Sequence, residues 1–390
     1  MQDPDYDAII VGGGPAGLTL GRELGKKFRV LVVEEHKKVG LPVQCAGLVS
    51  SRVLELTRLW ECVVAKHRGA ILYSPSGNAF AFSAYTIKAY AIDREKFDEK
   101  LAEKCKRYAK VVTGMKFLGA KYEEGGVVVT VSGNGTEKKL KTRLLVGADG
   151  VVSSVRRAFG FEEPEEYIST YGMEVKNFGV ESVEIYTGRA YAPGFFGWAI
   201  PCGDFVRLGV GSAQGHAKLC FDRLVNVIQQ RKNIKIEGLR TITGAIPIGL
   251  YSSFTRDHVV LVGDAAAHVK PVSGGGIYLG ISGALICADV VGRSLAENNL
   301  SGKNLAEYTK RFNATFKKEI KFGLRARKFL RNISDSTIEK AVEMLSSCES
   351  AKEVIAKYGD IDYPSLLLKP MLKKCPQLIK LTLPSIGDML

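Results

Sequence analysis

A strand, a glycine-rich turn, a helix and a second strand follow one another in residues 6–35, YDAIIVGGGPAGLTLGRELGKKFRVLVVEE. That order restricts the start of the chain to a dinucleotide-binding βαβ unit. Residues 8–11 are continuously apolar, as in a strand buried on both faces. Gly12, Gly14 and Gly17 stand at G-x-G-x-x-G spacing, with Ala16 inside the turn. The first glycine allows the tight turn, the second the approach of a diphosphate, and the third close packing of helix on strand. The helix that starts near Pro15 offers free N–H groups and its positive dipole end to an anion. Glu34 closes the second strand, where a carboxylate can accept hydrogen bonds from ribose hydroxyls, and Glu35 follows it. The glycines alone would be weak evidence. Strand, helix, second strand and acid in the right order make them specific.

The 390 residues suffice for two or three domains, and 46% hydrophobic content suits a folded protein. No charged-then-apolar leader precedes Tyr6, so a cytoplasmic protein is expected. The most apolar helix candidate, residues 277–291, reads as buried and too short to span a bilayer. The eight cysteines include no C-x-x-C pair, which argues against an iron–sulfur cluster or zinc ribbon and predicts free thiols. With five scattered histidines, no metal site is expected. The net charge is +14, and residues 301–390 hold 17 Lys/Arg against 10 Asp/Glu. Nucleic acid, an anionic membrane surface and a phosphorylated substrate all fit that excess, as does plain solubility.

Chain order predicts three parts: residues 1–162 with 247–300, residues 163–246, and residues 301–390. In the first, loop 37–50 (KKVGLPVQCAGLVS) suits a backbone held near a ligand and carries Cys45, either reactive or a buried structural thiol. A hairpin is expected at 70–85. Asp93 caps a helix whose first residue is Arg94, and a cation there calls for an anionic partner. Strands at 110–121, 127–132 and 137–141 form a meander, and 144–150 is a buried strand ending in Asp149-Gly150. Residues 163–246 read as an antiparallel sheet inserted into the first domain. The buried strand VVLVGD returns at 259–264. The last part is helical, with Leu305, Tyr308, Phe312, Phe316, Ile320 and Leu324 on one face of helix 303–331. The fold class is therefore α/β: a Rossmann-like domain, an inserted antiparallel sheet and a helical C-terminal region.

The N-terminal GGGPAG with Glu34, the stretch GADG at 147–150, and Gly263-Asp264 before a triple glycine together resemble the flavoprotein superfamily of para-hydroxybenzoate hydroxylase. Within it, PVQCAGLVS, DREKFDEKLA, GFFGWAIP and GDAAAHVKPVSGGGIYLGISGA look like the archaeal geranylgeranyl reductases, which saturate isoprenoid chains of membrane lipids. The resemblance implies FAD as cofactor. It assigns the ribityl and ribose contact to Asp264 and backbone contacts with the flavin to Gly274, Gly275, Gly276 and Ile277. It also implies cofactor contacts by Cys45, Ala46, Gly47, Arg94, Lys116, Asp149 and Gly150. The aromatic motif departs from the family's Tyr-x-Trp-x-Phe-Pro, since Phe196, Trp198, Ile200 and Pro201 stand there.

The function implied is reduction of an isoprenoid alkene by hydride from reduced FAD plus a proton, with Cys45, Phe196 and Trp198 as catalytic residues. Phe195, Phe196 and Trp198 either stabilise developing positive charge through their ring faces or line an apolar tunnel. Gly209-x-Gly211 lacks a third glycine, so no second nucleotide fingerprint is present and an external donor, a ferredoxin-like protein or NAD(P)H, is implied. Peripheral attachment to an anionic membrane is expected from the basic helix 303–331. The alternatives are a flavin monooxygenase or halogenase on the same fold and, against the packing stripe of that helix, a nucleic-acid-binding flavoprotein; no nucleic-acid partner is expected.

Overall fold

The structure is a computed structural model describing residues 4–378. Strand β1 (Tyr6–Val11), helix α1 (Pro15–Gly25) and strand β2 (Val30–Glu34) form the expected unit, with β1 and β2 parallel from Ala8↔Val30 to Val11↔Val33. The chain then leaves this sheet. Strand β3 (Leu48–Val49), helix α2 (Ser51–Thr57) and strand β4 (Val63–His67) lead to a hairpin of β5 (Gly69–Tyr73) and β6 (Ala79–Ser83). Strand β7 (Ala89–Ile92) lies between β3 and β4 in a small sheet. Asp93 caps helix α3 (Arg94–Lys106) by accepting the Lys96 N–H at 3.1 Å, and β8 (Lys110–Thr113) rejoins β2 in parallel.

The strand expected over 110–121 is divided at Gly114, whose φ of +68° turns the chain from β8 into β9 (Met115–Glu123). The meander continues through β10 (Gly126–Gly133) and β11 (Thr136–Gly147). β11 has two characters. Its charged first half, TEKKLK, pairs antiparallel with β10, and its apolar second half pairs in parallel with β1, Leu144 facing Ala8 and Gly147 facing Val11. The change from polar to apolar residues within one strand lets it run from the meander into a sheet covered on both sides. Helix α4 (Ser154–Ala158) follows.

Strands β12 (Glu166–Lys176), β13 (Val183–Tyr186), β14 (Gly197–Pro201) and β15 (Phe205–Ser212), helix α5 (Ala217–Lys232) and strand β16 (Gly238–Ile248) build the second sheet. Its order is β16-β12-β15-β14-β13-β5-β6, so the hairpin at 69–83 belongs to this sheet and the edge of the sheet does not coincide with the divisions at 162 and 247. α5 covers one face through Phe221, Leu224 and Ile228. The chain returns to the first sheet through β17 (Thr255–Arg256) and β18 (Val259–Leu261), and β18 pairs with β11.

Helix α6 (Ile277–Ala296) is longer than expected: with twenty residues and a mean hydropathy of 1.4 it is long and apolar enough to cross a bilayer, which corrects the reading of 277–291 as too short. More than half of it is buried against the body of the protein. Helix α7 (Gly302–Asn332) buries Leu305, Tyr308, Phe312, Phe316 and Ile320 in the core of the parallel sheet. Helices α8 (Asp335–Ser347), α9 (Glu349–Tyr358) and α10 (Leu368–Lys374) pack on the hairpin around Phe80. There Cys348 and Cys375 form a disulfide, which corrects the expectation of free thiols throughout. The pair is 27 residues apart, and only the folding together of α9 and α10 brings it together. Segment 360–363 is a strap: Asp360 and Asp362 bind Arg52 of α2, and Asp362 also binds Lys270 at 2.9 Å.

Candidate active site

At the C-terminal end of β1 the three glycines have three different reasons to be glycine. Gly12 has φ +109°, and a Cβ on it would strike the Ala148 carbonyl. A Cβ on Gly17 would strike the Gly12 carbonyl, so α1 can press on β1 only without one. Gly14 differs: its φ of −81° suits any residue, and nothing lies within 4 Å of where its Cβ would be. It caps α1 without a side-chain hydrogen bond, leaving first-turn N–H groups toward that open space. Glu34 fixes the turn from the side, its Oε2 accepting the Gly13 N–H at 2.7 Å while Oε1 accepts the His36 N–H at 2.9 Å. Glu35 points to solvent. Lys116 is exposed on β9, opposite Ser132, and no contact joins it to these groups.

Asp149 is turned inward. Its carboxylate accepts the Ser153 hydroxyl at 2.6 Å and the N–H groups of Ser154 and Val155, so it holds the start of α4. Burial pushes its pKa up and those hydrogen bonds oppose the rise. Gly150, at φ +74°, stands open.

The second helix start lies beside the first. Gly263 and Gly280 approach Ala16, whose Cβ would be 2.9 and 3.6 Å from theirs, so the N-terminal ends of α1 and α6 converge. Asp264 sits at the junction. Burial pushes its carboxyl up to about 6, with Arg94 pulling the other way, and among the described residues no donor hydrogen-bonds to it. The buried His268, held neutral with a pKa of about 3 by its burial, accepts the Gly263 N–H at 3.3 Å and fixes this turn. The triple glycine is enclosed: a Cβ would meet Ile246 from Gly274, Lys270 from Gly275 and the Asp264 carboxylate from Gly276. α6 begins at Ile277 with no side-chain cap.

The Cys45 loop forms a further part of the site. The Cys45 sulfur accepts the Gly47 N–H at 3.3 Å, and its charge, when ionised, acts on the Arg94 guanidinium. Arg94 in turn binds Asp98 at 2.7 Å, the anion its place at the start of α3 called for. Burial works against the charge of Arg94, but Asp98 and Cys45 outweigh it and raise its pKa. Among the described residues, Arg94 Nε and Asp98 Oδ1 are buried and have no hydrogen-bond partner.

The aromatic residues close the space. Phe195 and Phe196 stack at 4.4 Å, and Trp198 meets Phe196 edge-on at 6.0 Å. Arg327 of α7 lies over the Phe195 ring at 5.4 Å. A guanidinium already on that ring repels a second positive charge, so Phe195 is not the ring to stabilise one. Trp198 of β14 and Ala46 and Leu48 of the Cys45 loop pack against one small core that holds Ile200, Ala91 and Val183. Gly209 and Gly211, at first sight the stub of a nucleotide fingerprint, make room for the Trp198 and Phe195 rings.

Three groups of predicted residues are thus brought together: the first turn with Glu34, the Asp264 junction with the triple glycine, and the Cys45 loop with Arg94 and Trp198. Sequence reasoning missed Asp98, His268, Arg207, Arg327 and Lys270. Only Asp98 had a local signal, its i+4 spacing from Arg94. FAD fits what is present: two converging uncapped helix starts and the open face of Gly14 suit a diphosphate, and the unpartnered Asp264 suits hydroxyl donors.

Fold and site define an FAD-dependent oxidoreductase. A family model, the FAD binding domain, matches residues 5–188. An uncharacterised protein of Methanocaldococcus jannaschii is 36% identical over 96% of both chains. Digeranylgeranylglycerophospholipid reductase of Methanococcus vannielii is 28% identical over 97% of both. Among solved structures, a geranylgeranyl bacteriochlorophyll reductase-like protein of Thermoplasma acidophilum superimposes with a TM-score of 0.86 at 24% identity, covering 99% of each chain. The chain belongs to the geranylgeranyl reductase family of FAD-binding proteins.

Proposed function

We propose that the protein saturates carbon–carbon double bonds in geranylgeranyl chains of membrane-lipid precursors. The observation that carries this reading is a run of apolar aromatic rings, Phe195, Phe196 and Trp198, that reaches the glycine turn through Phe195 beside Gly274 and shares a small core with Ala46 and Leu48 of the Cys45 loop. A polar aromatic substrate would find few partners there, whereas an isoprenoid chain needs only apolar contact. FAD, which the starts of α1 and α6 and Asp264 would hold, would supply the hydride for one alkene carbon when bound and reduced. The proton for the other comes from Cys45, and Arg94, kept charged by Asp98, stabilises the thiolate left behind. Phe196 and Trp198 face positive charge developing at the more substituted carbon, a contribution of about 2 kcal/mol in a dry site. Solvent reprotonates the thiol, and the electrons would come from an external donor, a ferredoxin-like protein or NAD(P)H.

The reading extends to location: a cytoplasmic enzyme held at an anionic membrane surface. Its support is that Lys310, Lys317, Lys321 and Lys328 are exposed on α7 while the apolar face of that helix is buried. Charge then does the holding, without insertion of the helix.

The test is anaerobic incubation of FAD-loaded protein with dithionite and a geranylgeranyl glycerophospholipid in mixed anionic vesicles, followed by mass spectrometry. A gain of two hydrogens per reduced bond, lost in Cys45→Ala at unchanged FAD content, is expected. Oxygen consumption driven by NAD(P)H, with a hydroxylated or halogenated product and no saturation, overturns the reading in favour of a monooxygenase or halogenase.

A further inference from the structure

Arg207 belongs to the second sheet, yet its guanidinium ends in the Cys45 loop. It projects from β15, is 3% exposed, and its Nη1 donates to the Ile92 carbonyl at 2.7 Å and to the Ala46 carbonyl at 3.1 Å. Its Nε donates to Glu174 of β12 at 3.2 Å, and the guanidinium lies over the Phe205 ring at 5.5 Å. Gly47 is shaped around it. With φ +68°, that residue would bring a Cβ to 2.6 Å from Nη1, 2.9 Å from the Ile92 carbonyl oxygen and 3.1 Å from Arg94 Cγ. One side chain therefore joins two segments on which the proposed chemistry depends. Ala46 is next to Cys45, and Ile92 precedes the Asp93 cap and Arg94.

We propose that Arg207 is the positioning residue of this enzyme: it pins the Cys45–Ala46–Gly47 loop and the entry of α3 to the substrate sheet, so that thiol, Arg94 and apolar floor keep one geometry. This inference rests on the function proposed above for Cys45. A buried guanidinium needs all its donors met, and two carbonyls of different segments plus Glu174 meet most of them. Removing it frees both segments from the sheet at once. Glu174 itself keeps Arg240 at 3.4 Å, so loss of Arg207 does not strand a carboxylate.

The test uses the FAD-loaded full chain and the accessibility of one thiol. Among the described residues Cys45 is the free cysteine that is not buried, so iodoacetamide labelling located by peptide mass spectrometry reports on its loop. In Arg207→Met with FAD retained, labelling of Cys45 is expected to accelerate about tenfold or more. Its kcat for alkene reduction should fall about a hundredfold, with KM for the lipid much less affected. Arg207→Lys, which keeps a cation able to reach a carbonyl, should lie between the two on both readouts. Glu174→Gln, which leaves both carbonyl contacts in place, should label at close to the wild-type rate. Wild-type labelling in Arg207→Met, or in Arg207→Lys should the methionine variant fail to fold, overturns the proposal. A wild-type protein that holds FAD but leaves the lipid unsaturated overturns the proposed function instead, and the labelling comparison still decides what Arg207 does.

Discussion

Trp198 and Gly209 are direct partners across β14 and β15, and a Cβ on Gly209 would stand 2.5 Å from the indole ring. The ring lies over the strand because the strand offers it bare backbone. A methyl group there must push the Trp198 ring off β15, and the function proposed above puts the substrate chain against that ring.

Gly209→Ala is therefore expected to lower stability by about 1–3 kcal/mol through overpacking. It should also raise KM for a geranylgeranyl lipid more than it lowers FAD content. Thermal melts, the flavin-to-protein absorbance ratio and steady-state kinetics check the three parts. An unchanged KM would show that the indole is not at the substrate's wall.

Gly14 is required by its ligand, not by its backbone. Gly14→Asp should fold with a melting temperature close to wild type, because the φ of −81° is ordinary and the site of the Cβ is open. It should purify colourless, since a carboxylate there repels the diphosphate. Gly12→Ala, by contrast, must displace the Ala148 carbonyl and should fail in folding itself.

The cofactor affinity should depend on pH through Asp264. Its carboxyl is raised to about 6 by burial, so it is neutral below that pH and charged above it. Hydroxyl donors of bound FAD favour the charged form, so binding lowers this pKa and affinity falls as pH drops through 6. Fluorescence titration with FAD at pH 7.5 and pH 5 should show weaker binding at the lower pH. In Asp264→Asn the difference should flatten, with weaker binding at both.

The strap over the cofactor turn should matter to stability and to FAD alike. Asp362 is buried between Arg52 and Lys270, and the Lys270 backbone brackets the triple glycine by bonding to Gly274 and Gly275. Asp362→Ala leaves Lys270 without its carboxylate and should cost about 3 kcal/mol in denaturant unfolding. FAD should dissociate faster from this variant than from wild type in a stopped-flow exchange experiment.

The sequence by itself determined the βαβ unit, the places of Gly12, Gly14, Gly17 and Glu34, the return strand before Asp264 and the apolar face of α7. Each of these depends on contacts within a few turns of chain, where the pattern of apolar residues and the backbone demands of a turn are local. Tertiary structure alone decided the rest. Residues 69–83 joined the second sheet because the free edge of β13 took β5 in parallel, with Ala70 facing Val183. Cys348 met Cys375 because two helices packed on one hairpin. Arg207 reached Ile92 and Ala46, 115 and 161 positions away, because the inserted sheet docks against the cofactor loop. No local pattern encodes such pairings. They follow from which surfaces remain to be buried once the local elements have formed.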